Sequence, residues 1–146
     1  MTKSHVIRAI LDAFLRSSRY QEILVSAPTG SAACLIDGYT IHTLMLMGVG
    51  LRSTVREALN DACDRKVAKQ KINVDELQQI WCDVKYLVLD KVSMVSAELL
   101  SNIVDRLSLA KSSIHTAKDK PFGGINMIFA CNMAQLRLVK GSALYA

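Results

Sequence analysis

The stretch that most constrains this chain is Trp81 to Val95, whose middle, residues 84–89, Val-Lys-Tyr-Leu-Val-Leu, is a short run rich in β-branched and aromatic residues that stops on Asp90. Such a run, bounded by polar residues, reads as a buried strand. Open α/β sheets bind ligands at the carboxyl ends of their strands. A carboxylate delivered there, followed by a polar turn and a new helix, is therefore placed for Mg²⁺-nucleotide chemistry. The same pattern also fits a strand that ends in a solvated turn.

Around this stretch the sequence alternates between strand and helix patterns. Lys3 and Ser4 open a helix whose apolar face is Val6, Ile7, Ile10, Leu11, Phe14 and Leu15, running to about residue 17. A Lys-Ser pair at a helix start has the chemistry of the tail of a phosphate-binding loop, an ammonium for phosphate and a hydroxyl for Mg²⁺. Taken by itself, the pair reads as an ordinary helix start. Residues 22–27 read as a strand that runs into Pro28-Thr29-Gly30 and the small residues Ser31, Ala32 and Ala33. Gly38 and then Thr40-Ile41-His42 mark a second turn and a short helix to about Met47.

A helix is expected over residues 53–71, with Arg65, Lys66, Lys69 and Lys71 at its end. These cations could follow a phosphate backbone or form a solvated face. Asn73 with Glu76 resembles a capping box, after which Leu77, Ile80 and Trp81 line one side of a short helix. Beyond Asp90, Ser96 is a candidate cap for a helix buried through Leu99, Leu100, Ile103, Val104 and Leu107, with Glu98 in its first turn. Residues 111–124 are polar, basic and turn-rich and read as a surface loop. Residues 125–130 form a third apolar run, followed by the polar groups of Cys131, Asn132 and Gln135. Strands separated by helices imply right-handed crossovers and a parallel sheet, with Pro28 to Gly30, Asp90 and Gln135 at one edge.

At 146 residues the chain suits one compact domain. The composition, 51% hydrophobic and 21% charged, is globular, and no apolar run approaches the ~18 residues of a membrane span. A net charge of +5 permits an anionic partner without requiring one. The cysteines and histidines are scattered, so neither a structural metal nor a disulfide framework is expected. Arg8, Arg16 and Arg19 on an amphipathic pattern could suggest a transit peptide, but Asp12 favours a domain helix.

The order of these motifs is itself informative: Lys-Ser, Ala-Pro-Thr-Gly-x-Ala-Ala with Gly-x-Thr-Ile-His, Leu-Asp-x-x-Ser-Met, Pro-Phe-Gly-Gly, then Gln-Leu. It resembles the first motor domain of a Pif-family DNA helicase, including the helicase parts of Helitron-type transposons, over nearly the whole chain. The resemblance implies a RecA-like P-loop NTPase domain over residues 1–146, an α/β unit whose parallel sheet is flanked by helices. It implies ATP and Mg²⁺ as cofactors, with Lys3 and Ser4 on the phosphates and Ser4 and Asp90 on the metal. Gln135 would sense the γ-phosphate. Pro28, Thr29, Gly30, Thr40 and His42 would lie along single-stranded DNA, the implied partner, in a nuclear or mitochondrial setting.

The departures from that pattern carry their own expectations. The family's acidic pair is here Asp90-Lys91, and a charged ammonium cannot take a proton from an attacking water, so Lys91 would pair with Asp90 or a phosphate oxygen instead. Binding would then exceed hydrolysis. Asn132, Arg137 and Leu138 replace an acid and a di-proline of the family pattern. The resemblance further implies a partial, degenerate first motor domain, lacking the first strand and glycine-rich phosphate loop. A strand beside residues 125–130 would then be missing, leaving an apolar edge.

Overall fold

The computed structural model describes residues 2–47, 74–114, 119–132, 142 and 144. Four parallel strands form one sheet: β1 (Ile23–Ala27), β2 (Tyr39–Thr40), β3 (Tyr86–Asp90) and β4 (Asn126–Ala130), in the order β2-β1-β3-β4. The helices are α1 (Lys3–Arg16), α2 (Gly30–Leu35), α3 (Ile41–Leu44), α4 (residues 74–81) and α5 (Ala97–Ala110). The expected α/β class and parallel sheet are observed. The expected helix over 53–71, the candidate cap Asn73 and Gln135 lie outside the described residues.

Side-chain alternation along the strands divides the core in two. Ile23, Val25, Ala27 and Val88 pack on the face covered by α1 and α2, with Ile7, Ala32, Ala33 and Ile36. Leu87 and Leu89 pack on the other, with Ile41, Leu44, Leu77, Trp81, Ile103 and Leu107 from α3, α4 and α5. This is the period-2 pattern of a sheet buried on both faces. On α1 the buried stripe is narrower than expected. Ile7 is buried and Ile10, Leu11 and Phe14 are half-buried, whereas Val6 and Leu15 are 48% and 60% exposed. Positions i, i+3, i+4 and i+7 face the sheet, and their neighbours turn to solvent.

The helix ends follow recognisable rules. Ser96 caps α5 by accepting the Leu99 amide at 3.0 Å, as the sequence suggested, and Glu98 lies in its first turn. Helices α1, α2 and α3 all end in Schellman motifs. Their left-handed residues are Ser18, Asp37 and Leu46 rather than glycine, and the outer bonds run Arg19 to Phe14, Gly38 to Ala33 and Met47 to His42.

Two parts differ from the sequence expectation. Strand β2 forms where only a turn was expected, because Gly38 lets the chain run close beside β1. A Cβ there would stand 2.5 Å from the Val25 carbonyl oxygen. The segment 111–124 is not simply a surface loop. Lys111 is 7% exposed and donates to the carbonyls of Trp81 and, at 3.1 Å, Cys82, so it closes the end of α4 with a cation. Burial pushes the Lys111 ammonium below its ordinary pKa, with nearby Cys82 and Asp83 opposing the shift. Pro121–Gly124 form a 3₁₀ turn whose Gly123 is buried beneath Leu107, with a positive φ of 61°.

Candidate functional site

Strand order fixes where a ligand would sit. From β1 the chain moves outward to β2, and from β3 it moves outward in the opposite direction to β4. The order reverses between β1 and β3, and crevices in open α/β sheets form at the carboxyl ends on either side of such a reversal. Ser26 pairs with Leu89, so Ala27 and Asp90 end their strands at the same level. Pro28 follows one and Lys91 the other.

The direction of α1 places Lys3 and Ser4. Phe14 packs edge-on against Tyr86, ring centroids 5.2 Å apart, at the amino end of β3, and the chain needs only residues 17–22 to enter β1. Helix α1 therefore runs antiparallel to the strands. From Phe14 back to Lys3 it rises about 16 Å, while β3 from Tyr86 to Asp90 spans about 13 Å. Lys3 and Ser4 thus arrive at the carboxyl edge. Asp90 shares strand parity with Tyr86 and Val88, which face α1, so its side chain leaves the strand on the side where α1 begins.

Asp90 is 6% exposed, and its Oδ1 has no hydrogen-bond partner among the described residues. An orphaned buried carboxylate oxygen is costly unless something binds it. No group of three or more His, Cys, Asp and Glu side chains among the described residues could hold a metal. A solitary carboxylate still fits Mg²⁺, which takes one or two carboxylates, keeps waters and completes its shell with substrate phosphates. Of the two partners expected for Lys91, Asp90 or a phosphate oxygen, the Oδ1 of Asp90 takes no hydrogen bond from it. Lys91 adopts a left-handed backbone, φ 53° and ψ 45°, and leads the 3₁₀ turn Val92–Met94, so strand pairing ends at Asp90.

The other expected residues gather along the same edge over β1 and β2. Ala27 pairs with Thr40, which brings the segment after β1 beside the segment after β2. Thr29 caps α2 through the Ala32 amide, and Thr40 caps α3 through the Thr43 amide, both at 3.3 Å. Both threonines thus have a structural task. Gly30 differs from Gly38. A Cβ on Gly30 would meet nothing within 4 Å, so its surface is open. His42 is half-buried, and Pro28 is likewise partly accessible. The carboxyl edge therefore carries Asp90, Pro28, Thr29, Gly30, Thr40 and His42, and the start of α1, with Lys3 and Ser4, is directed toward it.

Trp81 was read from the sequence only as a helix-lining residue. It is fully buried, and its indole N–H donates to the Leu44 carbonyl at the end of α3, 3.1 Å away. The available signal was chemical: a buried tryptophan needs an acceptor for its N–H.

Comparison with known proteins places these features in context. A family model described as PIF1-like helicase matches residues 1–143. The "ATP-dependent DNA helicase PIF1" of Xenopus laevis is 31% identical over 134 residues, covering 92% of this chain and 18% of that protein. A Pif1 helicase structure from Candida albicans is similar with a TM-score of 0.66 and 28% identity, over 94% of this chain and 28% of that one. A Bacteroides Pif1 structure in complex with ADP-AlF3 and ssDNA gives a TM-score of 0.55 at 28% identity, over 82% of this chain and 24% of that one. The fold is the RecA-like α/β fold of these structures. This chain spans about a quarter or less of the length of the curated relatives it matches. No helix among the described residues is long and apolar enough to cross a membrane.

Proposed function

The chain belongs to the PIF1-like helicase family, and from that premise we propose that residues 1–146 form part of the first motor domain of an ATP-dependent DNA helicase. ATP phosphates bind at the amino end of α1, and single-stranded DNA lies along the neighbouring edge. The carrying observation is the buried, unpartnered Oδ1 of Asp90 at the carboxyl edge where α1 begins. Support also comes from similar proteins, an ATP-dependent DNA helicase of Xenopus laevis and a Bacteroides Pif1 in complex with ADP-AlF3 and ssDNA.

In this reading the Lys3 ammonium offsets phosphate charge, and the Ser4 hydroxyl and Asp90 carboxylate supply oxygens for Mg²⁺. Bound Mg²⁺ would neutralise phosphate oxygens. Gln135 senses the terminal phosphate. Pro28, Thr29, Gly30, Thr40 and His42 follow the DNA without reading bases, the sequence-tolerant contact a translocating motor requires. Lys91 sets the limit on chemistry. Its charged ammonium cannot accept a proton from water, so this chain binds nucleotide and hydrolyses little of it. The wider family reaction is translocation and unwinding, serving DNA repair, recombination and telomere maintenance in the nucleus or mitochondrion.

The test is thermal unfolding with and without Mg²⁺-ATP. Nucleotide at ~100 times its dissociation constant stabilises by about 2.7 kcal/mol, and Asp90→Asn should remove the Mg²⁺-dependent part of the shift without lowering the apo melt. An unmoved parent transition would reject the nucleotide site. For DNA, Gly30→Glu adds a carboxylate at an open position, so it should weaken oligo(dT) binding while leaving the melt unchanged. Equal binding by both proteins would remove Gly30 from the DNA path.

A further inference from the structure

Helix α3, capped by Thr40 of β2, carries Ile41 and His42 at the carboxyl edge, yet it is a single turn of four residues, Ile41–Leu44. So short a helix cannot hold its own conformation in water. Its Schellman ending uses the carbonyls of His42 and Thr43, through the Met47 and Leu46 amides, at 2.8 and 3.1 Å. The Leu44 carbonyl, next in line, takes the buried indole N–H of Trp81. Trp81 is anchored in turn: Lys111, at the end of α5, donates to its backbone carbonyl. Ile41, Leu44 and Met45 share the apolar cluster of Trp81, Leu77, Ile103 and Leu107. Packing keeps α3 against the sheet, and among the described residues the indole bond to the Leu44 carbonyl ties the end of the turn to α4.

We propose that Trp81 is a positioning residue for the nucleic-acid path, fixing through the Leu44 carbonyl the one-turn helix that follows Thr40 and presents His42. This rests on the proposed DNA contact at those residues. Trp81 touches no nucleic acid itself. Loss of its N–H would leave a buried carbonyl unpaired and let α3 shift to recover a partner.

The test compares the 146-residue chain with Trp81→Phe, which keeps an aromatic ring without the N–H, and with Leu107→Ala. The latter destabilises the same cluster without touching the Leu44 bond. Trp81→Phe should bind oligo(dT) about tenfold more weakly than Leu107→Ala, while both keep the Mg²⁺-ATP-induced melting shift of the parent. His42→Ala should cost much less affinity on the Trp81→Phe background than on the parent, because the contact is already misplaced. Equal affinities for Trp81→Phe and Leu107→Ala, or additive effects with His42→Ala, would overturn the positioning role alone. A parent chain that binds no oligo(dT) would overturn the DNA reading and this inference together. If Trp81→Phe does not melt cooperatively, hydrogen exchange in the parent decides. The indole N–H of Trp81 and the amides of Met45 and Met47 should exchange at one common opening free energy, and separate openings would overturn the proposal.

Discussion

Lys91 holds the left-handed conformation that glycine adopts without cost, directly after the carboxylate the site is built on. For a residue with a Cβ this costs roughly 1 kcal/mol. Lys91→Gly should therefore raise the stability of the free chain by about that amount, read from chemical denaturation, and a loss of stability would show that the side chain carries an unrecognised contact. Asp90 was legible from sequence because an apolar run stops abruptly on a charge. The conformation after it was not, because lysine is a poor signal of a left-handed turn. Gly38 was read only as a turn marker, and its reason, the Val25 carbonyl beneath it, belongs to a strand pairing that no local pattern announces.

Among the elements, α1 and β3 were the most legible, since each carries its period in its own residues. Strand β2 was not, for two residues have no period, and pairing with Ser26 and Ala27 creates it. The burial of Lys111 was hidden for a similar reason: its partners at the end of α4 lie 29 and 30 residues away. The amino edge of the sheet shows what joins the elements opposite the site. Glu22 accepts from Arg19 at 2.5 Å and from Lys85 at 2.8 Å, linking the lead-in to β1 with the lead-in to β3. The hydrogen bond from Lys85, with that from Arg19, holds the Glu22 carboxyl below its ordinary value of 4.5. Its folded pKa is depressed, so its contribution is complete above the unfolded value and is lost as pH falls through the folded one. Acidification below about pH 4.5 should thus cost the parent more stability than Glu22→Gln. Parallel stability curves for the two proteins would exclude this link.

Across the whole molecule, the sequence conveyed the α/β class and the family because the motifs keep their order along the chain. It could not convey that the start of α1 is directed toward the edge that carries Asp90. That follows from the antiparallel run of α1 and from strand parity, which exist only once the sheet is assembled. Sheet order also accounts for the exposure of Phe129, 48%, on β4, the last strand in the described order. Ser142 returns to this frame, its carbonyl accepting the Ala97 amide at the start of α5.

Trp81 is the chain's sole tryptophan and is wholly enclosed. The molecule therefore carries its one indole fluorophore at the joint between α3, α4 and α5. Selective excitation should give blue-shifted emission that moves to longer wavelength on unfolding, with no label attached. If the joint is as rigid as its bonds suggest, adding oligo(dT) should leave the emission maximum in place, and a red shift on binding would reveal that the joint opens when the edge is occupied.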